Sequence, residues 1–352
     1  MRDQNDKKTR SRLRKGRPYI QLLAAVLYNC NFKGFAEGKI YKGRSKGACV
    51  PGLNCYSCPG AVASCPLGSL QTALVGSRYR IPYFILGTIL LFGLFLGRFI
   101  CGFLCPFGLL QDLLHKIPTP KIKKSRVTRL LSYGKYVILA VFVLLIPLWK
   151  LAPGFCKYIC PAGTFEAGLP LVFKNPFLRE LTGRLFTWKV FLLVVIVSGS
   201  VFCFRAFCRF LCPLGAVYSF FQPVQLYGIR VDPDRCVQCD ACVKACPMDI
   251  KKVRDRECIH CGKCIPSCPA GAIHYGIKAS AGPAPETIEN TSGGTLFETS
   301  RPDRNTRKVI LVLRLVLLAL ALTLFIAGLL GGGFEDVLGK AIRICHECIG
   351  IG

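Results

Sequence analysis

Four apolar runs, uncharged or nearly so, limit the folds open to this chain: Ile81 to Gly97, Leu131 to Leu148, Leu185 to Phe204 and Val309 to Leu330. Each approaches the roughly 20 residues with which an α-helix crosses hydrocarbon. Inside lipid every backbone N–H and C=O must be paired within the protein, so runs of this kind form helices. A weaker run begins at Tyr19 and fades near Phe35, bringing the expectation to about five transmembrane helices. The predicted fold class is mainly α, a polytopic membrane helix bundle. Lys135, Lys189 and Arg314 lie near run ends, where long side chains can reach the headgroups. The spans carry no acidic residue at mid-depth, which argues against a redox-driven ion transporter.

The 352 residues carry a net charge of +28. Beside apolar spans, such a balance fixes topology against a membrane, so lipid is the expected contact and nucleic acid is not. The basic stretch 39–46 falls on the side expected to be outside and runs against that pattern. Residues 1–18 read as a basic cytoplasmic N-terminus, with no small-x-small cleavage site after them. A membrane domain follows over 19–228, with an outer cysteine loop at 34–80. Next come a compact Cys-rich insert at 229–276 and a Gly/Pro/Ser/Thr-rich flexible linker at 277–308. A final span at 309–330 leads to an outer tail at 331–352. The expected location is a bacterial cytoplasmic membrane. The N-terminus and the insert would lie inside and the C-terminus outside.

Twenty-two cysteines demand a chemistry. The insert contains Cys236-x2-Cys239-x2-Cys242-x3-Cys246-Pro247, then Cys258-x2-Cys261-x2-Cys264-x3-Cys268-Pro269. Three closely spaced thiolates wrap one cubane, and the fourth cysteine of each run serves the other. Cys236, Cys239, Cys242 and Cys268 are therefore expected to hold one [4Fe–4S] centre. Cys258, Cys261, Cys264 and Cys246 are expected to hold a second. Zinc would call for two pairs of thiolates instead. The segment resembles a bacterial two-cluster ferredoxin. That likeness implies a small inserted α+β domain performing one-electron transfer.

Outside the insert a C-x3-C-P motif recurs at Cys101–Pro106, Cys156–Pro161 and Cys208–Pro213, with a partial copy at Cys65-Pro66. Cysteines four apart share a helix face, or bracket a turn with Pro opening the next helix. Cys101, Cys105, Cys208 and Cys212 fall at one expected membrane edge and together offer four ligands for an inner cluster. Arg98, Arg205 and Arg209 stand by to offset its charge. On the other side, Cys49, Cys55, Cys58 and Cys65 form one proposed outer set. Cys156, Cys160, Cys345 and Cys348 form another. Zinc or disulfides are alternatives for these outer cysteines. Five centres would use all but Cys30 and Cys203, which read as small apolar residues. The chain has no C-x-x-C-H, P-loop or hydrolase motif, so covalent haem and a catalytic triad are not indicated.

These motifs, with Pro51-Gly-Leu-Asn-Cys55-Tyr-Ser-Cys58-Pro59, resemble the NapH/NosR/CcoG group of membrane-bound polyferredoxins. The resemblance implies an electron carrier between a soluble ferredoxin-type donor or the quinol pool and an extracytoplasmic reductase or flavoprotein. It does not imply a stand-alone enzyme. A redox sensor or metal-centre maturation factor is the alternative. Motifs at both membrane edges would leave roughly 30 Å between them, for which a bridging quinone is one expectation. Asp112, His115 and Glu166 are candidate proton acceptors for quinol oxidation.

Overall fold

The computed structural model describes residues 16–76, 81–122, 124–150, 152–277 and 304–341. Among them three helices, not five, are long and apolar enough to cross a membrane: Arg126–Lys150, Arg184–Phe202 and Lys308–Leu330. The 81–97 run yields the helix Tyr83–Phe95. Its 13 residues span about 20 Å, well short of a hydrocarbon core. It stops because the chain takes a left-handed turn at Gly97, φ 48°, which releases Arg98 toward the interior. The N-terminal run is broken into a helix over residues 16–28 and a short one over Phe32–Glu37.

The three long helices turn their large apolar side chains outward. Leu311, Val312, Leu315 and Val316 on the last, Phe191, Val194 and Val195 on the second, and Val137, Leu145 and Leu148 on the first are all exposed. Apolar faces this large are unstable in water and comfortable in lipid.

Inside this shell, short helices and loops carry the cysteines into one core. That core brings Cys65, Cys101, Cys105, Cys156, Cys160, Cys208 and Cys212 together with Cys246, Cys258 and Cys261. Lys135 and Lys189 do not reach the headgroups. Both are buried, at 0% and 2% exposure. Lys135 pairs with Glu257, and Lys189 donates to the Cys156 carbonyl at 3.1 Å. An inward anion or carbonyl outcompetes the interface once the helix presents the lysine to the cysteine core. Lys46 of the basic stretch is likewise buried, so it cannot act as a topology-setting surface charge.

The Cys-rich insert is closed by a two-stranded antiparallel sheet, Gly228–Val231 with Ile273–Gly276, in the register Ile229↔Tyr275. The sheet ties together the two ends of the segment that holds both cysteine runs. This is the small α+β insert in a mainly helical chain.

The short helix Tyr83–Phe95 lies along the last long helix by backbone contact. A Cβ at Gly328 would stand 2.2 Å from the Phe84 nitrogen, so only glycine permits this approach. Gly328→Leu should push the helices apart at a cost of about 1–3 kcal/mol. A fall in the thermal midpoint of the detergent-solubilised chain would register it, with Gly339→Ala as the silent control, since nothing lies within 4 Å of that position.

Candidate iron–sulfur sites

Each cysteine run of the insert winds through left-handed residues at matching offsets. Gln238 and Asp240 in the first run correspond to His260 and Gly262 in the second, all with positive φ. These twists turn successive thiols inward instead of alternating them along a strand. Cys242 lies within electrostatic reach of Cys236 and Cys268. Cys246 lies within reach of Cys261 and Cys258, and Cys264 faces Cys258, Cys261 and Cys246. The fold thus brings the fourth cysteine of each run to the other run's thiols. Among the described residues, no three His, Cys, Asp or Glu side chains close on a single metal ion. A cubane holds its ligands farther apart, one at each iron corner.

In the membrane domain the proline-bracketed turn is the form taken. Cys101 sits in the short helix Phe99–Phe103, and Cys105 caps Pro106–Leu114 with Pro106 in its first turn. Cys208 sits in Ala206–Phe210, and Cys212 caps Pro213–Phe220, its sulfur accepting from the Gly215 N–H. Cys212 is within reach of Cys208, Cys101 and Cys105, so the four predicted inner residues share one pocket. Gln111, 1% exposed, donates through Nε2 to the Cys208 sulfur at 3.0 Å and accepts from the Phe207 N–H at 3.1 Å. Burial pushes the Cys105 thiol up to about 12. Iron must therefore displace the proton for this residue to serve as a ligand.

The inner pocket abuts the insert. A Cβ on Gly102 would stand 2.2 Å from the Ile259 carbonyl oxygen, and Ile259 lies between Cys258 and Cys261. Two ion-pair groups centred on insert carboxylates fasten the contact, and a third lies beside it within the membrane part. Glu257 pairs with Arg98 and Lys135. Asp249 pairs with Arg209 at 2.8 Å and Arg129 at 2.8 Å. Asp112 pairs with Arg205 at 2.7 Å and with Arg17. Arg98, Arg205 and Arg209 are all buried. They act through carboxylate pairs and also lie near the thiols, Arg98 by Cys101 and Arg205 by Cys208 and Cys105.

The outer cysteines divide differently from either expected set. Cys55 and Cys65 line one small cavity with Cys156 and Cys160. Cys58 packs with Cys55 in a neighbouring patch that includes Ala167, Leu171 and Leu178, and Cys49, whose backbone bridges to Ser64, lies within electrostatic reach of Cys65. Cys345 and Cys348 lie outside the described residues. The two membrane pockets adjoin. The Leu53 backbone bonds the Cys105 sulfur while that of Asn54 bonds the Cys65 sulfur. With adjoining pockets there is no wide gap to bridge, and the expected quinone finds no support.

Of the three candidate proton acceptors, Asp112 and Glu166 are engaged in other contacts. Against the cost of burial, the charge and hydrogen bonds of Arg205, then the charge of Arg17, hold the Asp112 carboxyl below the usual range. Burial, then Lys121 and Lys263, push His115 down. Burial pushes Glu166 up to about 7, opposed by the Cys55 N–H, which it accepts at 2.7 Å. Gln71 and Gln111 were not among the expected site residues. The legible signal was a longer repeat, C-P-x-G-x-x-Q, at Cys65 and again at Cys105.

Two families, each described as a 4Fe-4S binding domain, match the chain. The first matches over 81–125, 135–175 and 184–227, the second over 229–252 and 251–274. The chain is therefore a ferredoxin-type 4Fe–4S protein, and with its three long apolar helices a membrane protein. Among its relatives is the uncharacterised protein MJ0750 of Methanocaldococcus jannaschii. That protein is 32% identical over 45% of this chain and 62% of its own length. The methylamine utilization ferredoxin-type protein MauN of Paracoccus denitrificans is 30% identical over 51% and 59%. The regulatory protein NosR of Pseudomonas aeruginosa is 26% identical over 42% and 19%. The chain spans less than two thirds of the length of these relatives. No solved structure matches.

Asp112→Asn leaves two buried guanidiniums without their anion and should cost about 3–5 kcal/mol. In the parent chain the depressed Asp112 contributes stability that is fully present above the ordinary carboxylate pKa of about 4 and is lost as pH falls through its lower folded value. The stability difference between the parent chain and Asp112→Asn in thermal unfolding in detergent should therefore be constant between about pH 6 and 8 and shrink only in acid.

Proposed function

We propose that the chain relays single electrons through a continuous row of thiolate-held iron–sulfur centres. The observation that carries this is the contact of Gly102 with Ile259, which sets the inner cysteine pocket against the second run of the insert. In this reading Cys236, Cys239, Cys242 and Cys268 hold one [4Fe–4S] centre and Cys258, Cys261, Cys264 and Cys246 the next. Cys101, Cys105, Cys208 and Cys212 hold a third. A cluster supplies reversible one-electron chemistry when bound. The protein's own part is to exclude water, fix the spacing of sites and balance charge with Arg98, Arg205 and Arg209.

The partners are redox proteins: a donor on the side of the insert, and an acceptor on the side of the cysteine loop 34–80. If the insert is cytoplasmic, an electron moving outward travels toward the positive side of an energised membrane. That is favourable by about 2.3 kcal/mol per 100 mV. The relative named regulatory protein NosR favours a second reading, a sensor that holds electrons instead of passing them on. Stopped-flow oxidation of the reduced chain separates the two, because a relay empties within a turnover time and a sensor does not.

Anaerobically purified chain should contain at least three cubanes by iron and acid-labile sulfide. Cys101→Ser should remove about four irons and leave the low-potential signals of the insert in place under redox-titrated EPR. Iron well below two cubanes per parent chain would sink the proposal.

A further inference from the structure

We propose that Cys55, Cys65, Cys156 and Cys160 hold a further [4Fe–4S] cluster, shared between the cysteine loop 34–80 and the turn after the first long helix, and built on the plan of the inner one. This rests on the reading of the chain as an iron–sulfur protein and extends it to cysteines of residues 49–76, outside every matched domain.

The first argument is a repeated glutamine brace. Gln71, fully buried, donates from Nε2 to the Cys156 sulfur at 3.3 Å. Its Oε1 accepts from the Phe155 N–H at 2.9 Å. Gln111 does the same to Cys208 and Phe207 in the inner pocket. Each glutamine follows its own Cys-Pro by the same spacing, Cys65 to Gln71 and Cys105 to Gln111. A neutral thiol is a weak acceptor on which to spend a buried amide donor. An iron-bound thiolate is a strong one, and such bonds are a known lever on cluster potential.

The second argument is the shared backbone cradle. The Gly68 backbone bonds the Cys65 sulfur and that of Gly163 bonds Cys160. Gly108 and Gly215 make the equivalent bonds to Cys105 and Cys212. In all four places a C-P-x-G turn aims a helix-opening N–H at sulfur.

The third argument is charge. Buried Lys46 lies within reach of Cys55 and Cys58, and Lys189 within reach of Cys160. These lysines occupy the place that Arg98 and Arg205 hold around the inner pocket. Two lysines buried in an apolar region are costly unless they answer negative charge.

The fourth ligand follows from what the repeat lacks. The position four before Cys65 is Ala61, so this half-site cannot supply a second thiol from its own turn. Cys55 lines the cavity with the other three, whereas Cys49 and Cys58 do not.

The test uses the full chain, purified without oxygen. Cys65→Ser and Cys156→Ser should each lose about four irons and four sulfides per chain. The double variant should lose no more than either single one. Cys55→Ser should lose the same centre, and Cys49→Ser and Cys58→Ser should keep it. Gln71→Leu should keep its iron and shift the midpoint potential of one centre only, which gives a readout if a cysteine variant does not accumulate. Parent iron below two cubanes would overturn the electron-carrier reading itself. Full parent iron with unchanged content in Cys65→Ser and Cys156→Ser, or no potential shift in Gln71→Leu, would overturn this site alone.

Discussion

The structure depends on buried positive charge. An apolar core that gathers ten cysteines could pack as small hydrophobes without any ionic partner. This one instead draws in Arg98, Arg205, Arg209, Lys46, Lys135 and Lys189, all buried. Isolated cations in such surroundings cost several kcal/mol each. Some are met by carboxylates: Arg98 and Lys135 by Glu257, Arg205 by Asp112, Arg209 by Asp249. Lys46 and Lys189 have backbone carbonyls and nearby sulfur. The surplus of cations over carboxylates matches the anionic charge that thiolate-bound clusters bring.

The same charges join two architectures. The insert is a small sheet-closed unit whose cysteine loops follow local left-handed twists. The membrane part is a set of proline-bracketed turns held inside long helices. Glu257 and Asp249 belong to the insert and pair with Arg98, Lys135, Arg129 and Arg209 of the membrane part. His260 adds a neutral link. It is fully buried, its Nδ1 accepts from the Ile229 N–H, and its Nε2 meets Gln222 and Gln225. Burial, then the charges of Arg254 and Arg230, push it well below the usual histidine range.

Much of this was legible in the residues. The double run Cys236 to Cys268 announced by its spacing that the fourth cysteine of each run would approach the other run, because short C-x2-C steps confine geometry within a few residues. The grouping of Cys101 with Cys208 was legible from repetition. Less was legible wherever the outcome depended on which face a helix turned inward. Lys135 and Lys189 looked like interfacial anchors because sequence gives depth and not rotation. Among the described residues two of the five expected spans fall short, Tyr83–Phe95 because it ends at a turn after 13 residues and the first run because its helix stops at residue 28, and a hydrophobic run does not record where the chain bends. The regrouping of Cys65 with Cys156 needed the packing of elements about ninety positions apart, although the matching glutamines at 71 and 111 pointed to it.

Contact between sites is what separates a wire from a collection of centres, and magnetic coupling between reduced centres reads it directly. In the dithionite-reduced full chain, EPR of the insert's centres should show broadening and fast relaxation beyond their own mutual coupling, from the spin of the inner centre, and Cys101→Ser should remove that added interaction while sparing the signals. Narrow, slowly relaxing spectra that are identical in the parent chain and the variant would contradict a continuous row.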